Sequence, residues 1–439
     1  MSRSQRVEVR PVAPPEGLPR LLADRLHVAS PASYAEHLAS HGPVTLPSVR
    51  PGGNPDLVDL VEMSGLRGRG GAGFPSGLKM RAVADNGRRT VVVGNAAEGE
   101  PASYKDALLL TRAPHLVLDG LQLAAAAVGA RDAYLYLHRG ASNAYAAVLT
   151  AIEERRRAHV DAVAVEVVTA PDRYVSGEET ALVNRVGGGL ARPLPVPPRP
   201  YQKGVRGRPT LVQNVETLAH IALLARHGEA WFRSVGTAQD PGSALVTVTG
   251  AVARTGVTEV ALGTTLRSLV AGLGGTTSTP RAVLLGGYYG SWLPANDAWD
   301  LALGHAALRN KKSSFGAGII VVLGQDSCGL AESARVLRYL AGHGAQQCGP
   351  CLNGLPAIAG SFERLAGGRG RQELPQLQRW VKLIQGRGAC SMPDGAARFA
   401  DSALQVFAEE VRSHQRGPCP QCANRVLPTP SAPQPEDWR

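Results

Sequence analysis

Residues 64–80 read SGLRGRGGAGFPSGLKM, with glycine at 65, 68, 70, 71, 73 and 77. A run this poor in β-carbons cannot be the interior of an ordinary helix or strand, because glycine loses the most backbone freedom on ordering and has no side chain to pack. What it can do is bring backbone N–H groups close to a bound anion. Gly68, Gly70 and Gly73 satisfy G-x-G-x-x-G literally. The dinucleotide fingerprint needs a strand just before it, whereas Leu57, Val58, Leu60 and Val61 upstream have helical spacing. The standard fingerprint therefore fails on context. The physical reading survives: a glycine cradle for phosphate at a helix start marked by Pro75 and Ser76, with Arg69 and Lys79 adding positive charge. The plainer alternative is a flexible surface loop.

The flanking pattern sets the fold class. TVVVG at 90–94, Ala133–Leu137 and Val163–Thr169 read as strands, and Pro114–Gly129 and Asn143–Arg157 as helices between them. That alternation predicts an α/β unit with helices covering a sheet. Residues 187–207, GGGLARPLPVPPRPYQKGVRG, are too rich in proline for helix or central strand and read as a functional loop. Val215–Arg226 reads as a helix. From Ser243 a β,β,α,β,β succession suggests a small mixed domain. After Gln325, segments 330–340, 352–365, 374–384 and 395–411 read as four short helices, and the proline-rich tail from Gln415 reads as mobile.

Composition removes other classes. The chain has 439 residues and 44% apolar content, enough for several cored domains and too much for disorder. The 51 glycines have no three-residue period, which excludes collagen. The most apolar helical run, 115–128, is too short to span a membrane and contains Asp119. The N-terminus is basic without an apolar core, so no secretory signal is read and a cytoplasmic location is expected. The net charge of +11 comes from scattered arginines, and aromatics are 5% of residues, so no nucleic-acid platform is expected. The charge reads as solvated surface, with docking of an acidic protein as the alternative.

Disulfides are rare in the cytoplasm, which directs the cysteines toward metal or redox chemistry. Cys348-Gly-Pro-Cys351 with Cys390 further on fits a metal site or a set of packed thiols. Cys419-Pro-Gln-Cys422 is a second C-x-x-C that lacks a nearby second pair. It can complete the first site, bind metal with a partner, or act as a redox pair. Cys328 follows an apolar strand and reads as a structural thiol.

The motifs taken together resemble the NADH-binding flavoprotein subunit of respiratory complex I, a family that includes the flavoprotein subunits of NAD-reducing hydrogenases and formate dehydrogenases. GLRGRGGAGFPSGLKM is similar to its flavin loop. NAAEGEPASYKD at 95–106, YVSGEETAL at 174–182 and PTLVQNVETL at 209–218 follow in the family's order. The resemblance implies an α/β fold: a Rossmann-like FMN-binding domain at 51–240 after an N-terminal extension at 1–50, then a β-grasp domain at 241–326. A helical-bundle iron–sulfur domain at 327–412 and a tail at 413–439 follow. It implies FMN across Gly68, Arg69, Gly70, Gly71, Gly73 and Lys79, with Asn95, Glu98, Tyr174, Gly177 and Glu179 near its polar groups and Asn214 and Thr217 at the phosphate or ribityl end. Phe74 would face the adenine. Glu100 and Glu178, toward the nicotinamide, are the implied catalytic pair. Cys348, Cys351 and Cys390 would ligate an iron–sulfur cluster, [4Fe–4S] or an incomplete variant. The implied activity is that of an NAD(P)H dehydrogenase-type flavoprotein passing electrons between NAD(P)H and a ferredoxin-like or larger redox partner.

Several positions depart from the family. Ala97 stands where an Asp is expected, Ser176 for Cys, Gln213 for Asn, and Ala82 for an aromatic; Val196 and Arg199 replace a basic residue and an aromatic. Ala345 takes the place of the first cluster cysteine, which leaves three readings: His343 or a tail cysteine completes the cluster, a three-iron or labile cluster forms, or the cysteines only pack. These changes motivate a second reading, a non-catalytic electron-transfer or assembly subunit with a degenerate nucleotide site.

Overall fold

The computed structural model describes residues 18–22, 25, 28–47, 49, 52–86, 89–311, 313–431, 434 and 437–439. Residues 1–17 of the expected extension therefore lie outside it. After α1 (Tyr34–His41), which carries a Ser33/Glu36 capping box, come α2 (Pro55–Ser64) and α3 (Ser76–Ala84). Asn54 caps α2, Pro55 opens it, and left-handed Gly65 closes it.

A parallel sheet follows, built from β1 (Val91–Ala96), β2 (Asp132–His138), β3 (Val165–Ala170) and β4 (Thr210–Asn214) in the order β3-β2-β1-β4. Its helices are α4 (Lys105–Arg112), α5 (Pro114–Val128), α6 (Ser142–Ala158), α7 (Glu179–Val186) and α8 (Val215–Arg233). Both faces are covered. Val92, Leu135, Leu137 and Leu211 join the core shared with α5 and α8. Val91, Val93, Tyr134 and Tyr136 join a second core beneath α7. This is why the strands are apolar runs rather than alternating ones. Every residue of α5 is buried. A Cβ at Gly120 would lie 1.9 Å from the Leu218 carbonyl oxygen, so only glycine lets α5 and α8 meet this closely.

The second sheet contains β5 (Ser243–Gly250), β6 (Gly256–Ala261), β7 (Pro280–Leu285), β8 (Ser291–Pro294) and β9 (Ile319–Gly324), ordered β6-β5-β9-β7-β8. β5 and β9 run parallel and the other pairs antiparallel. Between these strands lie α9 (Leu266–Gly272), α10 (Ala295–Ala298) and α11 (His305–Asn310). One face makes its own core with α9, and the other joins the C-terminal helices. Those are α12 (Gly329–His343), α13 (Leu355–Ala366), α14 (Leu374–Ile384), α15 (Met392–Val406) and α16 (Ala408–Ser413). Among the described residues no helix is long and apolar enough to cross a membrane.

Three expectations change. β4 and β8 were not among the expected strands. Arg155 is not solvated surface: it is buried against Asp119 and Asp161. The described part of the tail is tied down rather than loose, as its bonds to Glu332, Tyr288 and Arg173 show.

Candidate functional site

The glycine run is an ordered loop folded back on itself. The Gly68 N–H donates to the Phe74 carbonyl at 2.9 Å, and the Ser76 N–H to Leu66 at 2.9 Å. Gly73 has φ +62°, and a Cβ there would strike the His305 ring at 2.2 Å. At Gly71, φ +136°, a Cβ would meet nothing within 4 Å, while its backbone pairs with Gly316. Phe74 is 55% exposed beside it. The loop lies against the C-terminal ends of β1 and β4, where Asn95 pairs in register with Asn214. In parallel α/β sheets that edge is where ligands bind. A Cβ on Gly70 would come within 3.2 Å of the Asn214 Cβ.

Each expected cofactor residue has a definite position. Asn95 Nδ2 donates to the Gly177 carbonyl at 2.9 Å, and its Oδ1 accepts from the Ala97 N–H at 3.1 Å. A Cβ on Gly177 would press the Ala97 carbonyl oxygen at 2.5 Å, so β1 and the Tyr174–Gly177 turn are in backbone contact. Lys79 and Glu179 form an ion pair of 2.5 Å. Thr217 Oγ1 accepts the Arg69 N–H at 2.9 Å. The Arg69 side chain itself turns away from the loop: it is buried, donates to the Ser243 carbonyl at 2.9 Å and lies 3.8 Å from Glu216. Its guanidinium therefore ties the loop to β5 rather than lending charge to a ligand. Glu98 is likewise engaged, accepting from Ser103 Oγ and from the first N–H groups of α4. Burial, with Asp106 next, pushes its carboxyl up to about 7.

Glu100 and Glu178 differ in kind. Glu100 Oε2 accepts from Tyr174 Oη at 2.7 Å and from the Tyr288 N–H at 3.0 Å, while its buried Oε1 has no hydrogen-bond partner. Burial pushes this carboxyl up to about 7. Glu178 caps α7 through the N–H groups of Thr180 and Ala181, both at 3.0 Å, and burial raises its pKa too.

A buried ionic network beneath the loop was not foreseen. Lys105 Nζ lies 2.7 Å from Asp106 and 2.9 Å from Glu216, and Asn214 Nδ2 donates to Asp106 at 2.6 Å. Burial raises Glu216, but Lys105, then His220 and Arg69, outweigh it and hold the carboxyl near 2. Lys105, Asp106 and Glu216 all lie inside the motif segments 95–106 and 209–218. Charged residues between apolar neighbours were the available signal.

The three expected metal cysteines gather at one place. Cys348 and Cys351 lie on one turn, with the Cys351 N–H donating to the Cys348 carbonyl at 3.0 Å. Burial pushes the Cys390 thiol up to about 12, with Glu178, Cys351 and Cys348 near enough to add to the effect. Ala345 packs beside Cys390, Val175 and Trp438. Tyr289 lies near Glu100 and Glu178 as well as Cys390 and Cys351. It packs on Tyr174 with ring centroids 4.7 Å apart. The carboxylate side and the cysteine side of the site thus share one aromatic wall. The remaining cysteines are elsewhere. Cys328, Cys419 and Cys422 converge with His414, their ligand atoms all within 4.8 Å of one another. Cys328 thus belongs with the tail cysteines, and Cys419 and Cys422 lie with it rather than at the first site.

The residues fit the groups that the resemblance implied. The unfilled space at Gly71 beside exposed Phe74 leaves room for a planar cofactor. Three converging thiols suit an iron–sulfur cluster with one position lacking a cysteine.

The comparisons with known proteins agree in order along the chain. The family model described as the Nuo51 FMN-binding domain matches residues 61–223. The SLBB domain matches 245–287, and the NADH-ubiquinone oxidoreductase-F iron-sulfur binding region matches 331–414. The F 2 subunit of NADH-quinone oxidoreductase from Rhizobium meliloti is 32% identical over 373 residues, covering 82% of this chain and 88% of that protein. The NADP-reducing hydrogenase subunit HndC of Solidesulfovibrio fructosivorans is 30% identical over 398 residues, 88% of this chain and 81% of its own. The crystal structure of an air-oxidised NAD+-reducing [NiFe]-hydrogenase superposes with a TM-score of 0.74 at 32% identity over 82% of this chain. The chain spans 63% of that hydrogenase chain.

Proposed function

Since the chain belongs to the family of the NADH-quinone oxidoreductase F subunits, we infer that it is an FMN- and iron–sulfur-dependent NAD(P)H dehydrogenase-type flavoprotein. In this reading it passes electrons from NAD(P)H to an iron–sulfur partner. The observation that carries the reading is that Glu100, Glu178, Cys351 and Cys390 all lie near Tyr289, which packs on Tyr174. It puts the carboxylates and the cysteines of one chain close together.

FMN, when bound, supplies the two-electron to one-electron conversion. The chain's own contribution is position and charge. The Gly68–Gly73 backbone and the ends of β1 and β4 would hold the flavin, with Asn214 and Thr217 at its phosphate or ribityl end. Glu100 Oε1, buried and unpartnered, holds a proton near neutral pH and releases it just above. Lys79 and Glu179 close one edge as an ion pair, and Phe74 presents a ring face for adenine. Cys348, Cys351 and Cys390 would supply three thiolates to the cluster.

In the same reading, the chain divides into an extension at 1–50, a Rossmann-like domain at 51–240, a β-grasp domain at 241–326, a helical iron–sulfur domain at 327–412 and a tail at 413–439. The partner is a ferredoxin-like or other redox subunit, and the location is the cytoplasm.

The test is anaerobic purification, reconstitution with FMN, and visible spectra before and after NADH or NADPH. Bleaching of the visible flavin band by either nucleotide is expected. Absence of a flavin band after reconstitution refutes the reading. A second reading rests on Ala97, which is buried and offers no side-chain acceptor at the end of β1: a subunit that binds flavin but no nucleotide. It predicts an intact flavin spectrum that neither nucleotide changes.

A further inference from the structure

The tail holds a set of donors that the flavin and cluster reading does not use. Cys328 is the N-cap of α12, and His414 follows α16 on a short 3-10 turn. Cys419 precedes another short turn, Pro420–Ala423, and Cys422 lies within it. Folding brings together residues 86 positions apart in sequence. Cys419 Sγ and Cys422 Sγ are 3.5 Å apart, and His414 Nε2 is 3.8 Å from both Cys422 Sγ and Cys328 Sγ. A tetrahedral zinc ion with bonds of about 2.1–2.3 Å has ligand–ligand edges of about 3.5–3.8 Å. The donors are therefore spaced for one ion rather than a cube of iron and sulfide. Three thiolates and one imidazole are also a common structural zinc set. Cys328 Sγ accepts the Ala331 N–H at 3.3 Å and donates its own proton to Glu410 Oε2 at 3.2 Å, a proton that metal binding would displace. Glu410 also accepts from the Leu330 N–H and pairs with Arg281, so it keeps partners when the thiol proton leaves.

The chain beyond this set runs back over the molecule. Glu332 accepts from the N–H groups of Val426 and Leu427 at 2.9 and 3.0 Å, and Tyr288 Oη donates to the Pro428 carbonyl at 2.5 Å. At the far end Trp438 lies between the Arg173 and Arg192 guanidinium groups, 4.0 and 4.3 Å from its ring centroid. The ring is 3% exposed and packs against Ala345 and Val175. One end of the strap is thus the Cys₃His set. The other fills the corner where the first cluster cysteine is absent.

We propose that Cys328, His414, Cys419 and Cys422 bind one zinc-class divalent ion, and that this ion anchors a C-terminal strap whose Trp438 seals the Ala345 corner of the three-cysteine pocket. Binding forms three metal–sulfur bonds and one metal–nitrogen bond, and the thiol protons leave to solvent. No redox step is involved. The proposal stands apart from the flavin reading, since none of the four donors belongs to that site.

The test uses the full chain purified under thiol reductant from zinc-sufficient medium. Elemental analysis is expected to give about one zinc per chain. X-ray absorption is expected to report three sulfur neighbours and one nitrogen. Cys419→Ser/Cys422→Ser should lose the zinc, and Cys348→Ser should keep it. Hydrogen exchange should be slow at 424–431 in the zinc form, and at least tenfold faster after chelation of the wild-type chain, with recovery on adding zinc back. Trp438→Ala should retain zinc while exposing the segment around Ala345 to faster exchange. The chelation arm does not depend on how the cysteine variant folds. The proposal is overturned by a zinc-free chain after zinc supplementation, or by iron in this set that survives loss of Cys348. A Cys419–Cys422 disulfide in the reduced protein, or strap exchange indifferent to zinc removal, would also overturn it.

Discussion

Replacing Glu100 with Gln separates the electrostatics of the site from its shape. The amide keeps a carbonyl to accept from Tyr174 Oη and the Tyr288 N–H, so both bonds survive. What disappears is the buried charge. Burial raises the Glu100 carboxyl from 4.5 to about 7. Between those values the unfolded chain has already lost the proton that the folded chain still holds, so stability falls as pH rises. The penalty is absent below about pH 4.5 and complete above about pH 7, where it amounts to about 3 kcal/mol. Glu100→Gln should therefore match the wild type at pH 4 and be more stable at pH 8. A chain with several cores does not unfold as one unit, so the assay is local hydrogen exchange. Segment 286–290, which Glu100 pins through the Tyr288 N–H, should exchange about a hundredfold more slowly in the flavin-free variant than in the wild type at pH 8. The ratio should approach one at pH 4. A ratio independent of pH, or one that grows on acidification, refutes the reasoning.

Other outcomes follow from the same geometry. Glu216→Gln leaves Lys105 and Arg69 facing a neutral amide and should cost about 3 kcal/mol at neutral pH. Because the Glu216 carboxyl is held near 2, that difference should shrink as pH falls from about 4.5 toward 2 in thermal melts; a constant difference would count against the network. Gly73→Ala places a methyl 2.2 Å from the His305 ring at φ +62° and should weaken FMN binding at least tenfold by fluorescence titration. Gly272→Ala, with nothing within 4 Å, should leave binding unchanged, and equal effects would reject the cradle. Ala345→Cys should raise iron and acid-labile sulfide per chain and change the low-temperature EPR spectrum; an unchanged spectrum would mean that this corner is not a ligand position.

Local features were legible where chemistry and sequence neighbourhood coincide. The glycine run, the start of α3 at Ser76 and the all-apolar α5 follow from residue types within a few positions. β4 escaped because TLVQN is short and runs straight into α8, leaving no turn to mark it; only pairing with β1 makes it a strand. Arg155 looked like part of a solvated triplet. Arg156 and Arg157 do pair with Glu153 at the surface, while Arg155 turns inward to Asp119, 36 residues earlier. The Lys105–Asp106–Glu216 network was hidden for the same reason, since ion pairing across a core leaves no periodic trace. Cys328 and His414 were equally silent, because metal-ligand spacing announces itself only when both halves of a site are close in sequence.

The departures from the family pattern bear on one another once they are placed in space. Ala345 removes a thiol from a pocket in which Cys351 is buried and Cys348 and Cys390 are half-buried. The Cys390 thiol is already pushed up to about 12, in part by Glu178. Holding three thiolates there calls for a compensating positive cluster, since buried anions without one revert to their neutral form. A vacant fourth corner open to water would leave an iron exposed to solvent. Trp438 fills that corner with an apolar ring and is itself held by Arg173 and Arg192. Arg173 directly precedes the Tyr174–Gly177 turn, and that turn carries the Glu100 partner and meets β1 at Gly177. The strap therefore shields the altered cysteine corner and steadies the turn beside the carboxylates with the same two contacts. Loss of the strap should accordingly disturb both the cluster and the flavin side, whereas loss of one cysteine should disturb the cluster alone.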